Sequence, residues 1–80
     1  MPAPGPHRVV LGRHAAERAH QYDWALADVT DLLLAQHPHR TRNAGRAGWR
    51  VVLGDMTVLY DWPDGDDPGT ARVVTLWRSD

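Results

Sequence analysis

The sequence contains no cysteine, which excludes both a disulfide-stapled scaffold and a thiolate metal centre. The chain is thus compatible with a reducing compartment, and the cytoplasm is the expected location. Lysine is missing too: all nine cationic side chains are arginine, so each is a planar fork suited to phosphate or carboxylate, and no ammonium group is at hand as acid or base. No run approaches the roughly eighteen apolar residues of a membrane span, and no membrane partner is expected. The opening MPAPGPH has neither a basic n-region nor an apolar h-region, so residues 1–6 read as a flexible, Pro-rich lead rather than an export signal. Residues 7–80 then form a single domain. A domain this small buries a modest fraction of its surface, and the four tryptophans must carry much of its packing.

Net charge is -1, which argues against a generic nucleic-acid binder, but the charge is unevenly placed. Arg40, Arg42, Arg46 and Arg50 occur in a stretch without any acid, whereas Asp55, Asp61, Asp64, Asp66 and Asp67 occupy one without any base.

The clearest structural signal is DWALADVTDLLLAQH, Asp23 to His37. At 100° per residue Ala25, Leu26, Val29, Leu32 and Leu33 fall in one arc, with Asp28, Asp31 and Ala35 opposite. Asp23 stands where an N-cap carboxylate accepts from free N–H groups, and Pro38 ends the helix by pushing His37 out of the α region. Trp24 and Leu34 lie outside the arc and are assigned to a neighbouring helix. That neighbour is Arg13 to Gln21, on which His14 and Arg18 share a face at i and i+4. The short break at Tyr22-Asp23 predicts a helical hairpin. Before it, His7 to Leu11 reads as a strand ended by Gly12.

After the main helix, HPHRTRNAGRAG reads as a loop, and three strands follow: Trp49 to Leu53, Met56 to Trp62, and Ala71 to Arg78. Gly54-Asp55 carries the II′ hairpin signature, which sets Leu53 opposite Met56, Val51 opposite Val58 and Trp49 opposite Tyr60. That apolar face is assigned to the helices. In the last strand Val74 and Leu76 are expected inward. PDGDDPGT, Pro63 to Thr70, reads as a solvated turn, since its acids lack calcium-loop spacing. His37 and His39 form an HxH without a third ligand, so no metal site and no cofactor are expected. The order is thus β-α-α-β-β-β, an α+β domain with two helices packed on one face of a mainly antiparallel sheet.

This order, together with HAAER at the start of the first helix, Asp28-Val29 in the second, and VLYD followed by RVVTLWR, resembles the RelE/ParE superfamily of small toxins. It is most similar to the BrnT-like members, which share a His-Ala-x-x-Arg start, and the likeness covers residues 7 to 78. The resemblance implies a toxin of a type II toxin-antitoxin system, a metal-independent ribonuclease acting on mRNA, often on the ribosome, with a cognate antitoxin as its protein partner. His14 and Arg18 match the family start, and Thr75 and Arg78 lie in the last strand, from which such folds draw site residues. The chain departs from RNA-cleaving members in being slightly acidic and free of lysine.

Metal-free cleavage needs a base for the 2′-OH, a donor to the leaving oxygen and cations around the phosphorane. His14 is the candidate acid or base, Arg18 the phosphate fork, and Thr75 or Arg78 the further donor. Arg40, Arg42, Arg46 and Arg50, with Trp49 and Trp77, are candidates for phosphate contact and base stacking. The bland alternatives are a solvated His14–Arg18 pair with Arg18 bridged to an acid, and a basic loop neutralised by the acidic one. A further alternative is a catalytically inert protein of the same fold that serves as a protein- or RNA-binding module.

Overall fold

A computed structural model describes residues 5–45 and 47–79. Of the expected lead only Gly5 and Pro6 fall among them. The elements are β1 (Arg8–Leu11), α1 (Arg13–Gln21), α2 (Leu26–Gln36), a 3-10 turn (His37–His39), β2 (Thr41–Arg42), β3 (Trp49–Leu53), β4 (Met56–Asp61) and β5 (Thr70–Arg78). They make an α+β fold with a five-stranded mixed sheet in the order β1-β5-β4-β3-β2, with β1 parallel to β5 and the other neighbours antiparallel. The two-residue β2, inside the stretch read as a loop, is the strand the pattern does not reveal. No helix among the described residues is long and apolar enough to cross a membrane.

The hairpin register is the expected one: Trp49 pairs with Tyr60, Val51 with Val58, and Leu53 with Met56. Gly54 sits at φ 61°, as the first central position of a II′ turn requires. Val51, Val58 and Tyr60 from this face join Val29, Leu32 and Leu33 of α2 and Ala15 and Ala19 of α1 in one core. Gly12 joins β1 to α1 where backbones nearly touch. Its N–H donates to the Val73 carbonyl at 2.9 Å, and a Cβ there would stand 3.0 Å from the same oxygen.

Expectation for β5 was half right, and a bulge explains why. Leu59 pairs with Thr75 but Tyr60 with Val73, so Val74 is an extra residue and the alternation changes phase there. Leu76 is fully buried as expected, but below the bulge Ala71 and Val73 take the inward positions and Val74 is only half-buried.

The helix boundaries need a second correction. Asp23 does not cap α2; it ends α1 in the left-handed region, at φ 57°. The Trp24 N–H reaches the Ala19 carbonyl at 2.8 Å and the Asp23 N–H the His20 carbonyl at 3.2 Å, a Schellman-type ending that satisfies two orphan acceptors. α2 begins three residues later, where the Asp28 carboxylate accepts the Ala25 N–H at 3.1 Å. Ala25 and Leu26 therefore fall outside the buried arc and are exposed. The helices rest on the sheet more than on one another: α1 lies on β5 and β1, α2 on β3 and β1. Trp24 and Leu34 accordingly pack on the shared core.

A non-glycine residue at positive φ is strained, and a carboxylate at a helix C-terminus opposes the macrodipole. Asp23→Gly removes both costs and is expected to raise unfolding stability by about 1 kcal/mol. Urea denaturation checks this, with Asp23→Val expected to lower stability.

Candidate functional site

The chain from His37 to Trp49 turns around one aromatic cluster. His37 closes α2 and is buried, and its Nδ1 lies 2.7 Å from the Tyr60 hydroxyl. Its ring meets Trp62 edge-on at 4.7 Å. Three residues on, the Arg40 guanidinium lies 4.4 Å from the centre of the Trp49 ring and 5.3 Å from that of Trp62, and donates to the His37 carbonyl at 3.1 Å. Arg42 adds a second guanidinium at 4.6 Å from Trp49. The tryptophans are themselves tied: the Trp49 Nε1–H donates to the Trp62 carbonyl at 3.3 Å, and the Trp62 Nε1–H to the Pro68 carbonyl at 2.8 Å. Stacking of a partly desolvated guanidinium on tryptophan is worth about 1–2 kcal/mol. The forks are thus pre-positioned with N–H donors to spare.

Burial and the Arg40 charge, in that order, hold the His37 imidazole below its ordinary pKa. Burial likewise pushes the Tyr60 phenol up to about 12, although Arg40 pulls it the other way. Both groups stay neutral at physiological pH. His37 Nε2 and Arg40 Nε are buried without a hydrogen-bond partner among the described residues.

Charge pairing separates the arginines into two groups. Arg8 faces Asp67 at 3.9 Å, Arg13 Glu17 at 3.5 Å, Arg72 Asp64 at 3.1 Å and Arg78 Asp55 at 3.4 Å. Arg18, Arg40, Arg42 and Arg50 have no carboxylate within 4.0 Å among the described residues. Among the described residues the acidic loop therefore does not neutralise Arg40, Arg42 or Arg50. Asp64 and Asp67 turn to Arg72 and Arg8, and Asp61 accepts the Gly48 N–H at 2.9 Å. Thr70 and the Gly69 N–H bond the Asp67 carboxylate and hold its pKa below the ordinary value.

The residues singled out from sequence are distributed over several surfaces. His14 is exposed on α1, and Arg18, one turn on, is half-buried. Thr75 pairs with Leu59 on the sheet face turned away from the helices, whereas Arg78 is at the helix side, 5.9 Å from the Trp24 ring. His14 and Arg18 thus share a surface, and Thr75 is across the sheet from them. Arg40, Arg42 and Trp49 come together, while Arg50 and Trp77 project from the opposite face, alongside Thr75. Arg46 lies outside the described residues. His37 is buried and His39 exposed. The sequence pattern does not reveal that Trp62 stacks on Arg40 or that Tyr60 holds His37, three residues before Arg40. No periodicity marks these contacts, because they run through the 3-10 turn.

Comparison with the models of known protein families, with curated proteins and with solved structures returned no match to this chain. The functional reading therefore rests on the residues themselves.

His37 titrates at a lower pH in the fold than its ordinary value near 6.5, so the unfolded chain binds more protons in the window just below that value. Its contribution to stability is complete above pH 6.5 and is lost as the pH falls through the folded-state pKa. The expected slope is at most about 1.4 kcal/mol per pH unit for one proton. Urea titrations between pH 7 and 5 measure it, and His37→Asn should flatten the curve.

Proposed function

We propose that this chain binds single-stranded RNA along the β2–β3 edge, as a RelE/ParE-like domain whose protein partner is a cognate antitoxin. One observation carries the RNA reading: Arg40 and Arg42 both lie against the Trp49 ring without any carboxylate partner among the described residues, although the neighbouring loop is rich in aspartate. Uncompensated forks next to an aromatic ring suit a phosphate backbone with bases free to stack. The net charge of -1 makes this a local footprint, with no broad basic field, so the expected affinity is modest and strongly salt-dependent. The RelE/ParE assignment draws on the motif resemblance and the α+β order with its mixed sheet.

Cleavage is a second reading, favoured by a separate observation. Glu17 is paired with Arg13, leaving Arg18 without an acid among the described residues, one turn from the exposed His14. In that reading His14 takes the 2′-OH proton as the O2′–P bond forms and the P–O5′ bond breaks, Arg18 steadies the phosphorane, and water protonates the leaving 5′ oxygen, since Thr75 lies on the other face of the sheet.

Binding of a fluorescent single-stranded oligoribonucleotide, followed by anisotropy over a salt series, tests the first reading. Arg40→Ala and Arg42→Ala are each expected to lower the slope of log K against log salt by about 0.7, as loss of one phosphate contact does. Unchanged slopes in both variants would remove the β2–β3 edge as the RNA site.

Expression of His14→Ala beside wild type tests the second. The variant should keep stability within about 0.5 kcal/mol, as an exposed substitution does, while RNA cleavage falls about a hundredfold or more. Undiminished cleavage would exclude His14 as acid or base.

A further inference from the structure

Away from the arginine edge, α2 and the tip of the β3–β4 hairpin bound an open-sided groove of about 390 Å³. Trp24, Leu32, Ala35, Leu53 and Met56 supply its apolar surface, and Asp28 and Asp31 stand along it. Its origin is local. Leu53 points to the helix side of β3, as its pairing with Met56 requires, yet 48% of it is exposed, because beside Leu32 the groove face of α2 carries only short side chains, Ala35, Asp28 and Asp31. A volume of this size lies within the ordinary range for ligand sites, and here it lies open along a helix.

The charges around it are one-sided. Asp28 and Asp31 are one turn apart on α2, and neither has an ion-pair partner among the described residues. Like charges at this spacing repel, and adjoining apolar surface weakens the screening between them. Arg78, the cation that reaches Trp24, is itself neutralised by Asp55 at 3.4 Å. An apolar surface beside uncompensated carboxylates is complementary to a segment that carries an apolar side chain next to a cationic one.

We propose that this groove receives an amphipathic, basic segment of a partner protein, with an apolar anchor against Trp24, Leu32 and Met56 and an Arg or Lys at Asp28 and Asp31. A second copy of the chain is a poorer occupant. Among the described residues its arginines without a carboxylate partner are on α1 and at the β2–β3 edge, none of them lining the groove, so the contact would be head-to-tail and would not close into a dimer. RNA is excluded from this groove by the same two carboxylates. The proposal is therefore independent of the RNA reading, and each can fail alone.

Two synthetic helical peptides with the same leucine stripe, one with Lys and Arg on its polar face and one with Glu, are titrated into the full chain. Calorimetry reads the affinity and two-dimensional NMR the site. The basic peptide is expected to bind, to lose affinity as salt rises, and to shift the Trp24 indole, Leu53 and Met56 signals. Asp28→Asn with Asp31→Asn should weaken it about tenfold or more; asparagine at 28 keeps an acceptor for the Ala25 N–H, so α2 retains its start. Ala35→Trp, which fills the groove from an exposed helix position, should abolish binding, and circular dichroism confirms that the variant is folded. Arg42→Ala should leave the peptide affinity unchanged. Equal binding of the acidic peptide, an unchanged affinity in the double asparagine variant, shifts confined to other surfaces, or no binding of the basic peptide would each overturn the proposal. So would sedimentation showing self-association that the double variant abolishes, since that would assign the groove to a second copy.

Discussion

The hydrogen bond between His37 and Tyr60 is the contact on which the basic edge depends. Tyr60 is fully buried at the centre of the sheet, and its hydroxyl has to find a partner there or cost about 1–3 kcal/mol. Its partner is the first residue after α2, so this bond fixes where the helix ends against the sheet. The 3-10 turn that follows delivers Arg40 onto Trp49 and Trp62, and β2 then places Arg42 on the same ring. A buried polar pair, rather than another apolar contact, joins the helical layer to the cationic surface.

The sheet keeps its two faces chemically distinct. The helix-facing side is apolar along β3 and β4, and the bulge at Val74 lets β5 contribute Ala71, Val73 and Leu76 to it despite a pattern with two competing phases. The other side carries Arg50, Val52, Leu59, Thr75 and Trp77, with Thr57 buried among them. Charge is likewise placed locally: among the described residues Arg40 and Arg42, without carboxylate partners, meet at Trp49, while Asp28 and Asp31, without cationic partners, lie along α2. A protein with almost no net charge can thereby present two opposite local fields, each too short-ranged to act beyond a Debye length of about 8 Å at physiological salt.

Much of this was legible without coordinates wherever one local rule governed. The Gly54-Asp55 turn set the β3–β4 register because a two-residue hairpin leaves no freedom for slippage. The α2 core positions Val29, Leu32 and Leu33 followed from their spacing alone. Asp23 was misread because the same residue type serves as an N-cap and tolerates the left-handed conformation, and only the position of the preceding helix decides between them. The bulge was illegible because both phases of β5 are apolar. Of the candidate site, the arginines were visible as a charge run. Their assortment into paired and unpaired members was not, because it depends on which loop folds back on which strand. Arg50 and Arg42 are neighbours in the sequence's charge run, but antiparallel pairing of β2 with β3 turns them to opposite faces.

The parallel pairing of β1 with β5 has a consequence for how the polypeptide is made. Arg8 pairs with Thr70, so the first strand has no neighbour in the sheet until β5 has been synthesised. Closing a loop of about 60 residues costs roughly 4 kcal/mol of chain entropy before any β1–β5 hydrogen bond forms. The β3–β4–β5 meander, built from near neighbours, can assemble first and offer β1 a ready edge. Val9 and the apolar sides of α1 and α2 are translated before the surface that buries them exists. The nascent chain is therefore most exposed to misassociation during the interval that ends when β5 leaves the ribosome.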